Sequence, residues 1–81
     1  VQRIYVNQNI CQEFLEKFSK ATNLLKVGNP LDKSTDVGPL ITVREVNRVE
    51  NWVNEAIAEG AALIAGGKRL SETLFQPTIL Y

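Results

Sequence analysis

Sixteen residues from Lys26 to Ile41, KVGNPLDKSTDVGPLI, constrain this chain more than any other stretch. They carry Gly28, Pro30, Gly38 and Pro39 between two segments of helical periodicity, so neither helix can run through them. A structureless connection of that length is uncommon inside a compact domain. Where one occurs it is functional or is shaped by a larger neighbour. The second reading is adopted here, so this segment is expected to take its conformation from a larger protein around it.

Size points the same way. An 81-residue chain allows at most one domain, and a domain this small buries only about 60% of the surface its unfolded form exposes. Nine basic and nine acidic side chains cancel. Neither sign is gathered into a run, so nucleic acid and anionic membrane surfaces are excluded as partners. No segment approaches the roughly 20 apolar residues that span a bilayer. Cys11 is the single cysteine and histidine is absent, which leaves no internal disulfide and no zinc-like ligand set. No metal is expected, and a reducing, cytoplasmic compartment fits the lone thiol. The chain opens without methionine or a secretory signal and closes within the strand-like FQPTILY, so both ends are expected to be boundaries of a fragment.

The pattern along the chain is α/β, with about three strands and two long helices and no internal boundary in residues 1–81. Gln2 to Val6 alternates polar with β-branched or aromatic residues, as a short strand does. Asn9 with Gln12 makes a capping-box pattern before an apolar face of Phe14, Leu15, Phe18, Thr22 and Leu25. Thr42 with Glu45 makes a second one, ahead of Val46, Val49, Val53, Ala56 and Ile57. Gly60 stops that helix by accepting a left-handed conformation. Ala61 to Ala65 is wholly apolar, which predicts a strand buried on both faces. Leu74 to Tyr81 predicts another, with Pro77 at an edge, bulged or outside the pairing because it has no N–H to donate.

Candidate chemistry is sparse. Cys11 at a helix N-terminus would have its thiolate favoured by the dipole. It has no histidine to activate it, and a structural role is the better reading. Gly66-Gly67 is followed by Lys68-Arg69 and not by a helix, so it reads as a turn. Trp52, Phe14, Phe18, Phe75 and the two tyrosines are too dispersed for a base-stacking platform and read as core or interface residues.

Taken together, QRIYV, KVGNPLDKSTDVGPLI, EGA at Glu59 to Ala61, GGKR at Gly66 to Arg69 and QPTIL at Gln76 to Leu80 resemble the NAD(P)-dependent aldehyde dehydrogenases, nearly end to end. The resemblance implies a scaffold segment of that family's catalytic domain, downstream of the catalytic cysteine. The parent would oxidise an aldehyde to a carboxylic acid through a cysteine thiohemiacetal, with hydride passing to NAD or NADP. On the family's pattern the nucleophile falls about three residues before Val1. The general-base glutamate lies further upstream, and the EIFGP-like segment that holds the nicotinamide ribose lies downstream. No catalytic residue is then expected within this chain, and no activity or bound cofactor from it alone. Its partners would be the remainder of the parent and further copies in a homo-oligomer.

The resemblance also implies that Glu45 and Arg48, one turn apart on the second helix, approach the cofactor ribose. A capping glutamate and a solvated arginine would account for the same residues without a ligand. The connection GGKRLSETLFQPTIL resembles the subgroup acting on small polar or phosphorylated aldehydes such as lactaldehyde. The alternative, of another class, is a freestanding, non-catalytic structural or interaction module derived from this family.

Overall fold

The computed structural model describes residues 3–81. Its elements in chain order are α1 (Cys11–Asn23), α2 (Val43–Ala58), β1 (Leu63–Ala65) and β2 (Ile79–Leu80), an α/β arrangement of two helices and two strands. The strand expected over Gln2 to Val6 does not form: Gln2 lies outside the described residues, and residues 3–6 run without a ladder partner. Alternation specifies a strand only where a neighbouring strand supplies the hydrogen bonds and the packing.

A 3₁₀ turn, Gln8–Ile10, leads into α1 and is capped by Asn7, whose side chain accepts from the Asn9 N–H at 2.9 Å. Asn9 therefore does not cap the helix as expected. Ile10 occupies the cap position of α1 and offers no side-chain bond, because the first orphan donors are already engaged one turn earlier. The apolar face of α1 turns toward β1, with the Phe14 and Phe18 rings tilted at 40° and 5.3 Å apart between centroids. Leu25 falls beyond the helix end and is exposed.

Helix α2 starts and stops where the sequence reading puts its ends, although the Glu45 side chain turns to Arg48 and does not complete the capping box. Thr42 Oγ1 accepts from the Glu45 N–H at 3.2 Å, an N-cap worth about 1 kcal/mol. At the other end Gly60 has φ +111°. Its N–H donates to the Ile57 carbonyl, and that of Ala61 to the Ala56 carbonyl, a Schellman closure that consumes two orphan acceptors.

β1 and β2 pair antiparallel, Leu63 opposite Leu80 and Ala65 opposite Ile79, with one extra residue on the β1 side. The chain then turns outward as an arm. Gly66 and Gly67 have φ of +73° and +83°, Gln76 N–H donates to the Lys68 carbonyl, and Leu70 N–H donates to the Leu74 carbonyl. Pro77 stands outside the ladder, as its missing donor requires. The expectation that residues 61–65 are buried on both faces fails. Ala65 is buried, but Leu63 is 45% exposed because nothing among the described residues covers the second face.

The arm folds back onto α2. Phe75, Val46 and Val53 form the buried cluster, with Val49 packed against it. Around that cluster Arg69 joins arm to helix. Its Nε and Nη2 donate to the carbonyls of Ser71 and Glu72, while Nη1 donates to Asn47 Oδ1 at 2.6 Å and stands 3.6 Å from Glu50 Oε1. Leu40 N–H donates to the Thr73 carbonyl, tying the approach to α2 to the tip of the same arm.

The Lys26 to Ile41 connection is not structureless. At its neck Gly28 N–H donates to the Val37 carbonyl, Asp36 and Val37 N–H donate to the Lys26 carbonyl, and Lys26 N–H donates to Asp36 Oδ2. In the crown Leu31 N–H bonds Asn29 Oδ1 and Ser34 N–H bonds Asp32 Oδ1. Ser34, through its backbone N–H and then its hydroxyl, holds the Asp32 carboxyl below its ordinary pKa. Short polar side chains thus supply the loop's hydrogen bonds, a compact Ω-like solution. The whole measures 41 × 30 × 17 Å. A body so thin leaves Leu24, Leu31 and Ile41 more than 80% exposed.

Candidate functional site

Glu45 and Arg48 lie in the first two turns of α2. The Thr42 cap fixes where the helix starts, which sets the direction of both side chains, and their spacing of three residues puts them on one face. The structure brings them together. Arg48 Nε and Nη2 both donate to Glu45 Oε2, at 3.0 and 2.7 Å. Among the described residues Glu45 Oε1 and Arg48 Nη1 have no hydrogen-bond partner, and the side chains are 35% and 48% exposed.

Arg48 also lies over the Trp52 ring, 4.4 Å from its centroid. Trp52 is 61% exposed, so it is not the core residue the sequence reading allowed. It forms a plate under the guanidinium, a contact worth about 0.5–1 kcal/mol at an exposed site. The sequence did carry a signal for it, since Arg48 and Trp52 are four apart on a helix and such pairs meet. Stacked below and paired to one side, the guanidinium has a fixed plane and presents donors beside a carboxylate acceptor. That donor and acceptor set fits the hydroxyl pair of a ribose, in which each hydroxyl can both give and take a hydrogen bond.

Cys11 is the first residue of α1 and is half-buried. It lines a cavity of about 590 Å³ together with Phe14, Phe18, Ile79 and Tyr81. The Cys11 sulfur raises the Tyr81 phenol above its ordinary pKa, first by a hydrogen bond and then by charge. Neither α1 nor β2 brings a base to the thiol. Among the described residues no three histidine, cysteine, aspartate or glutamate side chains converge as a metal site would require, and no helix is long and apolar enough to cross a membrane.

Comparison with known proteins identifies the family. A family model described as "Aldehyde dehydrogenase family" matches residues 1–81. The 3-sulfolactaldehyde dehydrogenase of Priestia aryabhattai is 51% identical over 80 residues, 99% of this chain and 17% of that protein. The lactaldehyde dehydrogenase of Methanocaldococcus jannaschii is 50% identical over the same length, again 99% of this chain and 17% of the relative. Among solved structures, glyceraldehyde-3-phosphate dehydrogenase GapN from Methanocaldococcus jannaschii, complexed with NADP, superimposes with a TM-score of 0.89 at 51% identity, over 93% of this chain and 16% of that one. Aldehyde dehydrogenase 21 from Physcomitrella patens, in complex with succinate, gives 0.94 at 38% identity over 99% of this chain and 16% of its own. The chain thus spans about one-sixth of the length of the relatives it matches. By sequence along its whole length, and by the fold it shares with those solved structures, the chain belongs to the aldehyde dehydrogenase family.

Proposed function

We propose that residues 1–81 are part of one catalytic domain of an aldehyde dehydrogenase and serve there as scaffold beside the cofactor. The whole protein oxidises an aldehyde to a carboxylic acid, and NAD or NADP, when bound, accepts the hydride. The observation that carries this reading is the match of residues 1–81 to the family, with a TM-score of 0.94 over 16% of one solved aldehyde dehydrogenase. Glu45 and Arg48 hold the cofactor ribose. Glu45 accepts from a hydroxyl, Arg48 donates to one, and Trp52 keeps the guanidinium plane in place. The chain by itself turns over no aldehyde, since Cys11 lacks an activating base and the reaction's nucleophile belongs to the remainder of the enzyme.

Substrates are small polar or phosphorylated aldehydes. Support comes from the GGKRLSETLFQPTIL connection and from the relatives named for 3-sulfolactaldehyde, lactaldehyde and glyceraldehyde-3-phosphate. The apolar side chains left open on the thin body are covered by the rest of the enzyme and by further copies of it. The lone cysteine supports a cytoplasmic setting.

The test is direct. The complete gene product that carries this segment should reduce NAD or NADP in the presence of lactaldehyde, 3-sulfolactaldehyde or glyceraldehyde-3-phosphate, read as absorbance of the reduced cofactor. The 81-residue chain under the same conditions should match the buffer blank. Turnover by the short chain, or none by the complete protein with any aldehyde, overturns the reading. In the complete protein Arg48→Ala should raise the cofactor KM about tenfold with the circular dichroism spectrum unchanged. An unchanged KM returns Arg48 to an ordinary solvated side chain.

A further inference from the structure

Helix α2 is held in place in two physically different ways. Val46, Val49 and Val53 pack against Phe75, and apolar contact of this kind is non-directional, so it fixes separation better than it fixes rotation or register. Arg69 supplies the directional part. Its Nε and Nη2 are occupied by the carbonyls of Ser71 and Glu72, which lock the guanidinium plane to the tip of the arm. The remaining Nη1 is thereby aimed at α2, where it donates to Asn47 Oδ1 at 2.6 Å and approaches Glu50 Oε1 at 3.6 Å. The side chain is only 25% exposed, so these bonds are partly shielded from water.

Asn47 directly precedes Arg48, and Glu50 lies one turn on, so the clamp grips the same stretch of helix that carries the Glu45 and Arg48 pair. The tip makes one further hold. Leu40 N–H donates to the Thr73 carbonyl, just before the Thr42 cap. One structural unit, residues 69–73, therefore restrains both the entry to α2 and its second turn.

We infer that Arg69 is a positioning residue for cofactor binding: through Asn47 it sets the rotation and register of α2 and so the placement of Glu45 and Arg48 against the ribose. The inference rests on the proposed role of those two residues. It depends on arginine chemistry in particular, because three bonds from one rigid plane in three directions need a guanidinium, and an ammonium at the end of a flexible stem cannot hold them at once.

The experiment uses the complete protein and compares Arg69→Lys, Asn47→Ala, Arg48→Ala and the Arg69→Lys/Arg48→Ala double variant, with kcat and the KM for NAD or NADP as readouts. Dissociation constants for the reduced cofactor are measured by its fluorescence. Arg69→Lys should raise the cofactor KM and dissociation constant about fivefold while kcat changes less than about twofold, and Asn47→Ala should do the same. The rise should shrink when Arg48 is already alanine, to the part carried through Glu45, because residues acting through a shared contact are non-additive. An unchanged cofactor KM in Arg69→Lys overturns the inference, and so does an equal rise in the Arg48→Ala background, which marks general loosening. If Arg69→Lys fails to fold, Asn47→Ala against Arg48→Ala carries the same cycle. If Arg48→Ala leaves the cofactor KM unchanged, the ribose reading itself falls. If Arg48→Ala raises it and Arg69→Lys does not, only the positioning role falls.

Discussion

Replacing Phe75 by alanine should cost the fold about 3–5 kcal/mol, the range for emptying a buried aromatic site. Phe75 is 8% exposed and sits between Val46, which is fully buried, and Val53. These are the contacts that bring the arm and α2 together, and so few buried apolar residues leave little able to collapse into the space. Phe75→Leu keeps most of the apolar volume and should cost less than about 1.5 kcal/mol. Urea unfolding of the complete protein and both variants checks this through the shift in midpoint. A midpoint for Phe75→Ala within experimental error of the parent would show that the arm is held by Arg69 and the backbone bonds alone.

The second large effect is expected at Gly66. A Cβ there would stand 2.1 Å from the Pro77 carbonyl oxygen, and φ is +73°. Alanine therefore meets two penalties: the left-handed dihedral, about 1–2 kcal/mol, and a collision with backbone that has no rotamer to swing away. Gly60 separates them. Its φ is +111°, but nothing lies within 4 Å of an added Cβ. Gly60→Ala should therefore show the dihedral cost alone, and Gly66→Ala should lower the thermal midpoint markedly further. Equal shifts for the two would mean that the backbone at Pro77 yields freely and the close approach is not a constraint.

Local chemistry was legible in the sequence where the partners are near in the chain. The Thr42 cap, the Gly60 stop and the turn at Gly66-Gly67 are settled within a few residues and are found as read, whereas the return bond of the Thr42–Glu45 capping box is absent because the Glu45 carboxylate turns to Arg48. Asn9 does not cap α1 for an equally local reason: Asn7 caps a 3₁₀ turn that takes in Asn9, whose own N–H donates to Asn7 Oδ1, so the helix starts later, at Cys11. What escaped was non-local. The bond from Lys26 N–H to Asp36 crosses ten residues, and Arg69 reaches Asn47 across twenty-two, and neither leaves a periodic trace. At the site, the resemblance supplied Glu45 and Arg48, and helical spacing put them on one face. Their mutual pairing and the Trp52 plate emerged only with the side chains in place.

The loop between α1 and α2 has a consequence for how members of this family can diverge. Its neck, from Lys26 to Gly28 against Asp36 and Val37, fixes how the chain leaves one helix and approaches the next, while the crown of residues 29–35 closes on itself. Lengthening such a crown costs only about 0.6 kcal/mol per doubling in closure entropy. Insertions and deletions can therefore accumulate in the crown over evolutionary time without shifting either helix. A change of length at the neck would instead break the bonds that set how the chain leaves α1 and approaches α2.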